Sequence, residues 1–346
     1  MRKDFTTGSI VSGLLIFALP YMLSCFLQTF YGMADLFVTG QFNGADAISA
    51  VSIGSQVMHM LTVMIVGLAM GSTVLISQAV GKKEEKKIRQ AIGNTVVLFS
   101  LLALLLTILL LLSVDGILFL LSTPPEAVAE TRTYLRICFM GIPLIVAYNI
   151  ISCVFRGIGD SRSPLFFILI ACVFNIALDF LLVGGLHLGA AGAALATVIS
   201  QGISVVCAFY QIRRHDLLPL SFHKEDFRPC KSVIASLLKI GIPVTCQDGF
   251  IQISFLFITA IANSRGVVAA ASVGIVEKII SFLFLVPSAM LSSISAIAAQ
   301  NVGAGKPERA KKTLGCGLTI AVSFGLLVSI LFQYISPYIL GLFTHN

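Results

Sequence analysis

Apolar residues fall in nine long runs, at 10–35, 47–78, 93–114, 132–155, 164–184, 189–211, 236–262, 268–298 and 311–334. Each supplies the roughly 20 apolar residues that a helix needs to cross a bilayer. None shows the alternation over about ten residues that marks a membrane barrel strand. Lipid offers the backbone no hydrogen-bond partner, so every run is predicted to be a helix. The polar positions between the runs carry a second pattern. Basic residues collect at the N-terminus (Arg2, Lys3), then at Lys82–Arg89, Arg156–Arg162, Arg213–Lys239 and Lys306–Lys312. These places hold 19 of the 23 Lys and Arg residues and mark every second connection. Alternating helices with a cytoplasmic N-terminus are the topology this predicts.

Composition narrows the class further. Of 346 residues, 57% are hydrophobic and 11% charged, against about 25% charged in soluble domains. Mean hydropathy is +0.97. A soluble domain has no interior large enough for so much apolar surface, and disorder needs the opposite balance. The net charge of +7 is accounted for by the basic loops, and no basic-aromatic module for nucleic acid occurs. Seven of the eight cysteines lie in apolar runs and Cys230 in a basic loop. They read as small buried hydrophobes, with no CxxC pair to suggest zinc or a disulfide framework. The first run is too long for a cleavable signal.

The chain contains an internal repeat. Ala18-Leu19-Pro20 returns as Gly241-Ile242-Pro243, and Ala69-Met70-Gly71-Ser72 as Ala289-Met290-Leu291-Ser292. Gln78-Ala79-Val80-Gly81 returns as Gln300-Asn301-Val302-Gly303, again followed by basic residues. Both copies follow an even number of helices, which gives a parallel repeat about an axis along the membrane normal, an arrangement found in transporters. The predicted architecture is an all-α polytopic membrane protein. It has an N-lobe of six helices at 1–211, a cytoplasmic linker at 212–235 and a partial C-lobe of three to four helices at 236–346. Leu118–Pro124 aligns with Leu340–Asn346, so the expectation is that the last three of twelve helices are lacking.

Charged and polar side chains inside apolar runs are the candidates for chemistry. Gln28, Tyr31 and Asp35 are spaced to share one helix face, as are Asn175 and Asp179. Thr197 and Gln201 lie in the sixth run. Together they are expected to line a polar pocket. Burial penalises a carboxylate's charge and a second carboxylate adds to the penalty, so Asp35 and Asp179 suit uptake of a proton that biases one helix arrangement. The same oxygens suit Na⁺ at Asp35, Asn175 and Asp179. Asp248 and the Glu277-Lys278 pair read as interfacial side chains. Pro143, Pro243 and Pro287 lie in helices, where proline is tolerated in a bilayer and marks a kink.

Enzymatic readings fare poorly. Gly157-Ile158-Gly159-Asp160 fits the GxGD pattern of intramembrane proteases, but Arg156, Arg162 and Pro164 place Asp160 in a turn within a basic loop. His59, His187, His215, His223 and His345 are scattered, and HExxH, Walker A and GxSxG are absent. The chain is read as no enzyme and as no self-sufficient ATP-driven pump.

Four stretches resemble the multidrug and toxic compound extrusion (MATE) family, in its bacterial DinF-like branch. They are Leu19-Pro20 through Asp35-Leu36-Phe37-Val38; Gln78-Ala79-Val80-Gly81; Phe155-Arg156-Gly157-Ile158-Gly159-Asp160-Ser161-Arg162-Ser163-Pro164; and Asn175-Ile176-Ala177-Leu178-Asp179 with the following Gly189–Thr197. The resemblance implies two six-helix lobes around a central cavity in the bacterial cytoplasmic membrane. It implies secondary active export of drug-like, often cationic, compounds driven by H⁺ or Na⁺. Carried over by position, Asp35, Asn175, Asp179 and Thr197 form the coupling site with Tyr134 beside them, while Gln28, Tyr31 and Ser152 face the substrate cavity. Partners are small organic substrates and the bilayer, with no nucleic acid and no cofactor, and the chain is expected to be a monomer. Two rival readings are a flippase for lipid-linked oligosaccharides, which needs a cavity rich in Arg and Lys, and an inert fragment.

Overall fold

The computed structural model describes residues 4–214, 221–265 and 267–343. Among them no strand occurs, and the elements are α1 (Ile10–Phe42), α2 (Ala45–Gly81), α3 (Glu85–Leu120), α4 (Val128–Met140), α5 (Ile142–Gly157), α6 (Arg162–Asp179), a π turn (Phe180–Gly185), α7 (Gly189–Arg214), a short 3₁₀ turn (Lys224–Phe227), α8 (Lys231–Ser264), α9 (Val267–Leu283), α10 (Leu285–Gly303) and α11 (Pro307–Phe343). Eight stretches are long and apolar enough to span a bilayer, and α4 with α5 makes a ninth as a bent pair. Residues 215–220 of the linker, including His215, lie outside the described residues. So do the last three residues, His345 among them, and the Lys278 side chain.

The helices run further than the apolar runs. Backbone hydrogen bonding continues past the apolar run, so α1 extends to Phe42 and Asp35 lies in its interior. Two runs expected to be continuous are broken. The run at 132–155 bends by 47° between α4 and α5. Gly141 sits at the bend because a Cβ there would strike Val198 of α7, and Pro143 stands in the first turn of α5, where its missing N–H costs nothing. The run at 268–298 breaks at Phe284, with Pro287 in the first turn of α10. Pro20 and Pro243 lie inside α1 and α8. The Asp160 turn is as expected: its carboxyl accepts from the Arg162 and Ser163 amides (2.8 and 3.1 Å) and the Ser163 hydroxyl (2.7 Å).

One residue departs from its expected place. Arg156, read as part of a basic loop, belongs to the last turn of α5 and is only 5% exposed. The helix carries it inward beneath α1, and its guanidinium lies over the Tyr21 ring at 4.9 Å.

The linker is tied down at its far end. Asp226 accepts from the His223 amide (2.9 Å) and pairs with Arg89 of α3 at 3.4 Å. The Asn94 side chain of α3 accepts from the Cys230 amide at 2.7 Å.

The two copies of the repeat meet along α2, which packs against both α8 and α10. The contact is reciprocal. A Cβ on Gly81 would collide with the Gln300 carbonyl, and a Cβ on Gly303 with the Gln78 carbonyl. The repeated Gln-x-Val-Gly motifs thus face each other, glycine to main chain, as a pseudo-two-fold relation requires. Higher along α2, Gly71 rests on the Leu237 carbonyl and Gly241 on the Leu68 carbonyl. Glycine permits such close approach because nothing projects from its Cα.

The segment before α1 straps the same end of the bundle. Phe5 donates its amide to Gln300 (3.0 Å), and its ring is buried with Leu14, Phe17, Ala296 and Ile297. Arg309 donates to the Thr7 and Gly8 carbonyls, both at 2.8 Å, and Lys306 to that of Thr6 at 2.9 Å. Within the strap, the Thr6 hydroxyl and amide donate to Asp4 (2.7 and 2.8 Å). They hold its carboxyl below the usual carboxylate range, with Lys83 and Lys306 adding to the effect.

Candidate functional site

The site forms where α1 crosses α6 and α7. The face of α1 that carries Tyr31 and Asp35 turns toward α7. Thr197 donates its hydroxyl to Asp35 Oδ2 at 3.1 Å, and Gln201, one turn further, donates its amide to the Tyr31 hydroxyl at 3.3 Å. The four-residue steps on both helices keep the pairs in register.

From the other side α6 presents Asn175 and Asp179. Asp179 is its final residue, and the chain then widens into the π turn at 180–185. Such turns recur at functional sites because the extra residue redirects side chains. Asp179 and Asn175 lie against Asp35, and the two carboxyls act directly on each other.

Burial is nearly complete: Asp35 is 2% exposed, Asp179 and Asn175 0%. Yet Asp35 Oδ1, both Asp179 oxygens and both polar atoms of the Asn175 amide have no hydrogen-bond partner. Buried polar atoms normally find one, and an uncompensated buried charge is strongly destabilising. The cluster is rich in oxygen acceptors, and among the described residues no basic side chain is paired with either carboxyl.

Tyr134 of α4 stands beside Asp35. It is buried, and its ring lies flush on Gly54 of α2, where a Cβ would overlap it. Gln28 is half-buried on α1. Ser152 lies on α5, buried, with the Tyr148 side chain beside it. None of Gln28, Tyr31 and Ser152 lines the apolar groove of about 670 Å³ that runs along α8 from Pro243 to Ile258 and reaches Phe284. Asp248 of α8 is half-buried, with its carboxyl over Gly67 of α2. Among the described residues no three His, Cys, Asp or Glu side chains group as a metal site.

Sequence reasoning did not pick out Arg156 as a buried charge. The available signal was its four-residue step from Ser152, which puts both on one face of a helix that need not end with the apolar run.

Comparison with known proteins bears on the family and the fold. The profile of the MatE family matches residues 20–181 and 243–346, a stretch of each repeat. The chain belongs to the MATE family. Among relatives, the Probable multidrug resistance protein YpnP of Bacillus subtilis is 32% identical over 306 residues, covering 88% of this chain and 68% of that protein. YoeA of the same species, also named a probable multidrug resistance protein, is 29% identical and covers 97% and 74%. The Multidrug export protein MepA of Staphylococcus aureus is 25% identical and covers 98% and 75%. Among solved structures, a MATE family transporter of the MOP superfamily in an outward-facing conformation superposes with a TM-score of 0.88 at 21% identity, covering 99% of this chain and 76% of the other. A MOP superfamily transporter from Pyrococcus furiosus gives the same values. The fold is therefore that of MATE proteins, and the chain is a multi-pass membrane protein of this family.

Proposed function

We propose that this protein is a secondary active exporter of drug-like organic compounds in the bacterial cytoplasmic membrane, driven by antiport of H⁺ or Na⁺. The observation that carries the reading is the buried pair, Asp35 from α1 and Asp179 from α6, with three of its four carboxyl oxygens and both polar atoms of the neighbouring Asn175 unpartnered. A proton or Na⁺ entering the pair removes the cost of its bare charge. That gain differs between helix arrangements, because the two carboxyls sit on different helices. The ion thereby shifts the population of lobe openings, which is what coupling requires. Thr197 orients Asp35, and Tyr134 closes the pocket against Gly54. Gln28, Tyr31 and Ser152 are assigned to the substrate side, and the N-terminus, with its basic loops, to the cytoplasm.

The names of the Bacillus and Staphylococcus relatives support the substrate class. The reading needs no cofactor, no nucleic acid and no second copy. A flippase for lipid-linked oligosaccharides has less support, because Arg156 is the one buried basic residue among the described residues.

The test is dye export by the chain reconstituted in vesicles, with H⁺ and Na⁺ gradients imposed separately. Export driven by one gradient, and lost in Asp179→Asn protein that remains folded, is the expected result. Export indifferent to both gradients removes the reading.

A further inference from the structure

A second polar cluster lies apart from the carboxyl pair, at the other end of the same gap. α1 and α5 come close along little of their length. The space between them is bridged by side chains. Along α1, Tyr21, Cys25, Gln28, Tyr31 and Asp35 fall on one helical face. Tyr148 of α5 stands near both Tyr31 and Cys25. At the end of this row, about 21 Å along the α1 axis from Asp35 at 1.5 Å per residue, the Arg156 guanidinium covers the Tyr21 ring.

The charge of Arg156 is not neutralised. It is 5% exposed and makes no ion pair, and its Nε is buried without a hydrogen-bond partner. One turn earlier on the same face, the Ser152 hydroxyl is 3% exposed, with the Tyr148 side chain beside it. A Tyr ring offers a guanidinium its π face but accepts no N–H fork, so the cation–π contact leaves the in-plane donors unused. Buried charges in proteins are paired, because leaving one bare costs several kcal/mol. A guanidinium with unused donors and a hydroxyl one helical turn away match the demand of a carboxylate or phosphate group.

We infer that Arg156 and Ser152 form a subsite for the anionic end of an amphiphilic substrate. This rests on the export reading and sharpens it. The gap then has an acidic end at Asp35 and Asp179 and a basic end at Arg156, with aromatic and apolar side chains between. A compound bearing an apolar body and one anionic group fits that lining with its anion at Arg156. Exporters that recognise cations alone have no use for a bare guanidinium in this position.

A matched pair of probes tests it: a rhodamine carrying a free carboxylate, and the methyl ester of the same dye. Binding of each to the purified full chain in detergent is followed by fluorescence polarisation. In Arg156→Gln protein, affinity for the carboxylate dye should fall roughly tenfold or more, since a charge-assisted hydrogen bond is lost, while affinity for the ester stays within about twofold. Arg156→Lys should recover part of the loss by restoring the charge without the fork. Ser152→Ala, which removes one hydroxyl and leaves the fold's packing in place, should weaken the carboxylate dye selectively by a few-fold, so the question stays answerable if Arg156→Gln does not fold. Equal weakening of both dyes, or no change in either, overturns the subsite and leaves export standing. A wild-type protein that binds neither dye removes the export reading and the subsite together.

Discussion

The two copies of the repeat begin alike and then use their first helices differently. With Pro20 and Pro243 superposed, Gln28, Tyr31 and Asp35 of α1 correspond to Ile251, Ser254 and Ile258 of α8. On α1 the last of these is a carboxyl buried against α6 and α7. On α8 it is an isoleucine, 49% exposed, in the wall of an apolar groove. The helix framework and its proline are common to both, but the ionisable group is not. Symmetry here belongs to the scaffold and asymmetry to the ionisable group, and under the proposed function ion handling falls to the first copy. Glycine packing does not follow this division. Gly54 and Gly141 in the first copy and Gly317 in the second lie against neighbouring side chains, whereas a Cβ on Gly32 of α1 or Gly249 of α8 would meet nothing.

The sharpest way to break this contrast is to exchange the roles of the paired positions. Asp35→Asn should lower gradient-driven export in vesicles to that of empty vesicles. Ile258→Asn, at the matching place on α8, should leave it near the unmodified rate. Loss of gradient dependence in the Ile258 variant would show that both copies handle the ion. Next in size is Gly54→Ala, which forces a methyl into the Tyr134 ring and should cost about 1–3 kcal/mol, read as a lower melting temperature in detergent. An unchanged melting temperature would mean that the ring is free to move aside.

A smaller effect is expected from Thr197→Val, which keeps the shape and removes the one hydrogen bond to Asp35. At about 1 kcal/mol for such a bond, the concentration of driving ion for half-maximal export should rise about fivefold, with the maximal rate retained. Smallest is Gly249→Ala. In open space the substitution only restricts the unfolded chain, so stability should rise by up to about 1 kcal/mol. A measured loss would place a neighbour against this stretch of α8.

What the sequence disclosed divides along physical lines. Helix number and order were readable because bilayer thickness dictates apolar length, and no tertiary detail enters that relation. Asp35, Asn175 and Asp179 stood out because polar groups are costly in hydrocarbon, and the structure brings the three together. The breaks at Gly141 and Phe284 were not readable. Hydropathy continues across both, and only the approach of α7 explains the first. Arg156 was misplaced for the converse reason. A charge at the edge of an apolar run reads as loop, and its burial depends on α1, which lies more than a hundred residues earlier in the chain. Tyr134 entered through resemblance alone, since a tyrosine among arginines carries no signal of its own, and its place beside Asp35 is a product of the α4 bend.

The glycine-to-carbonyl seam along α2 has a mechanical consequence. Most protein surfaces that meet this closely are keyed together by interdigitated side chains, which must be withdrawn before the halves can separate. Here glycine lies on main chain at Gly71, Gly81, Gly241 and Gly303, so at these points parting and rejoining ask for no change of rotamer. Under the proposed export cycle, such a joint has little to unlatch. Any methyl group added at Gly81 or Gly303 would act as a wedge in that joint.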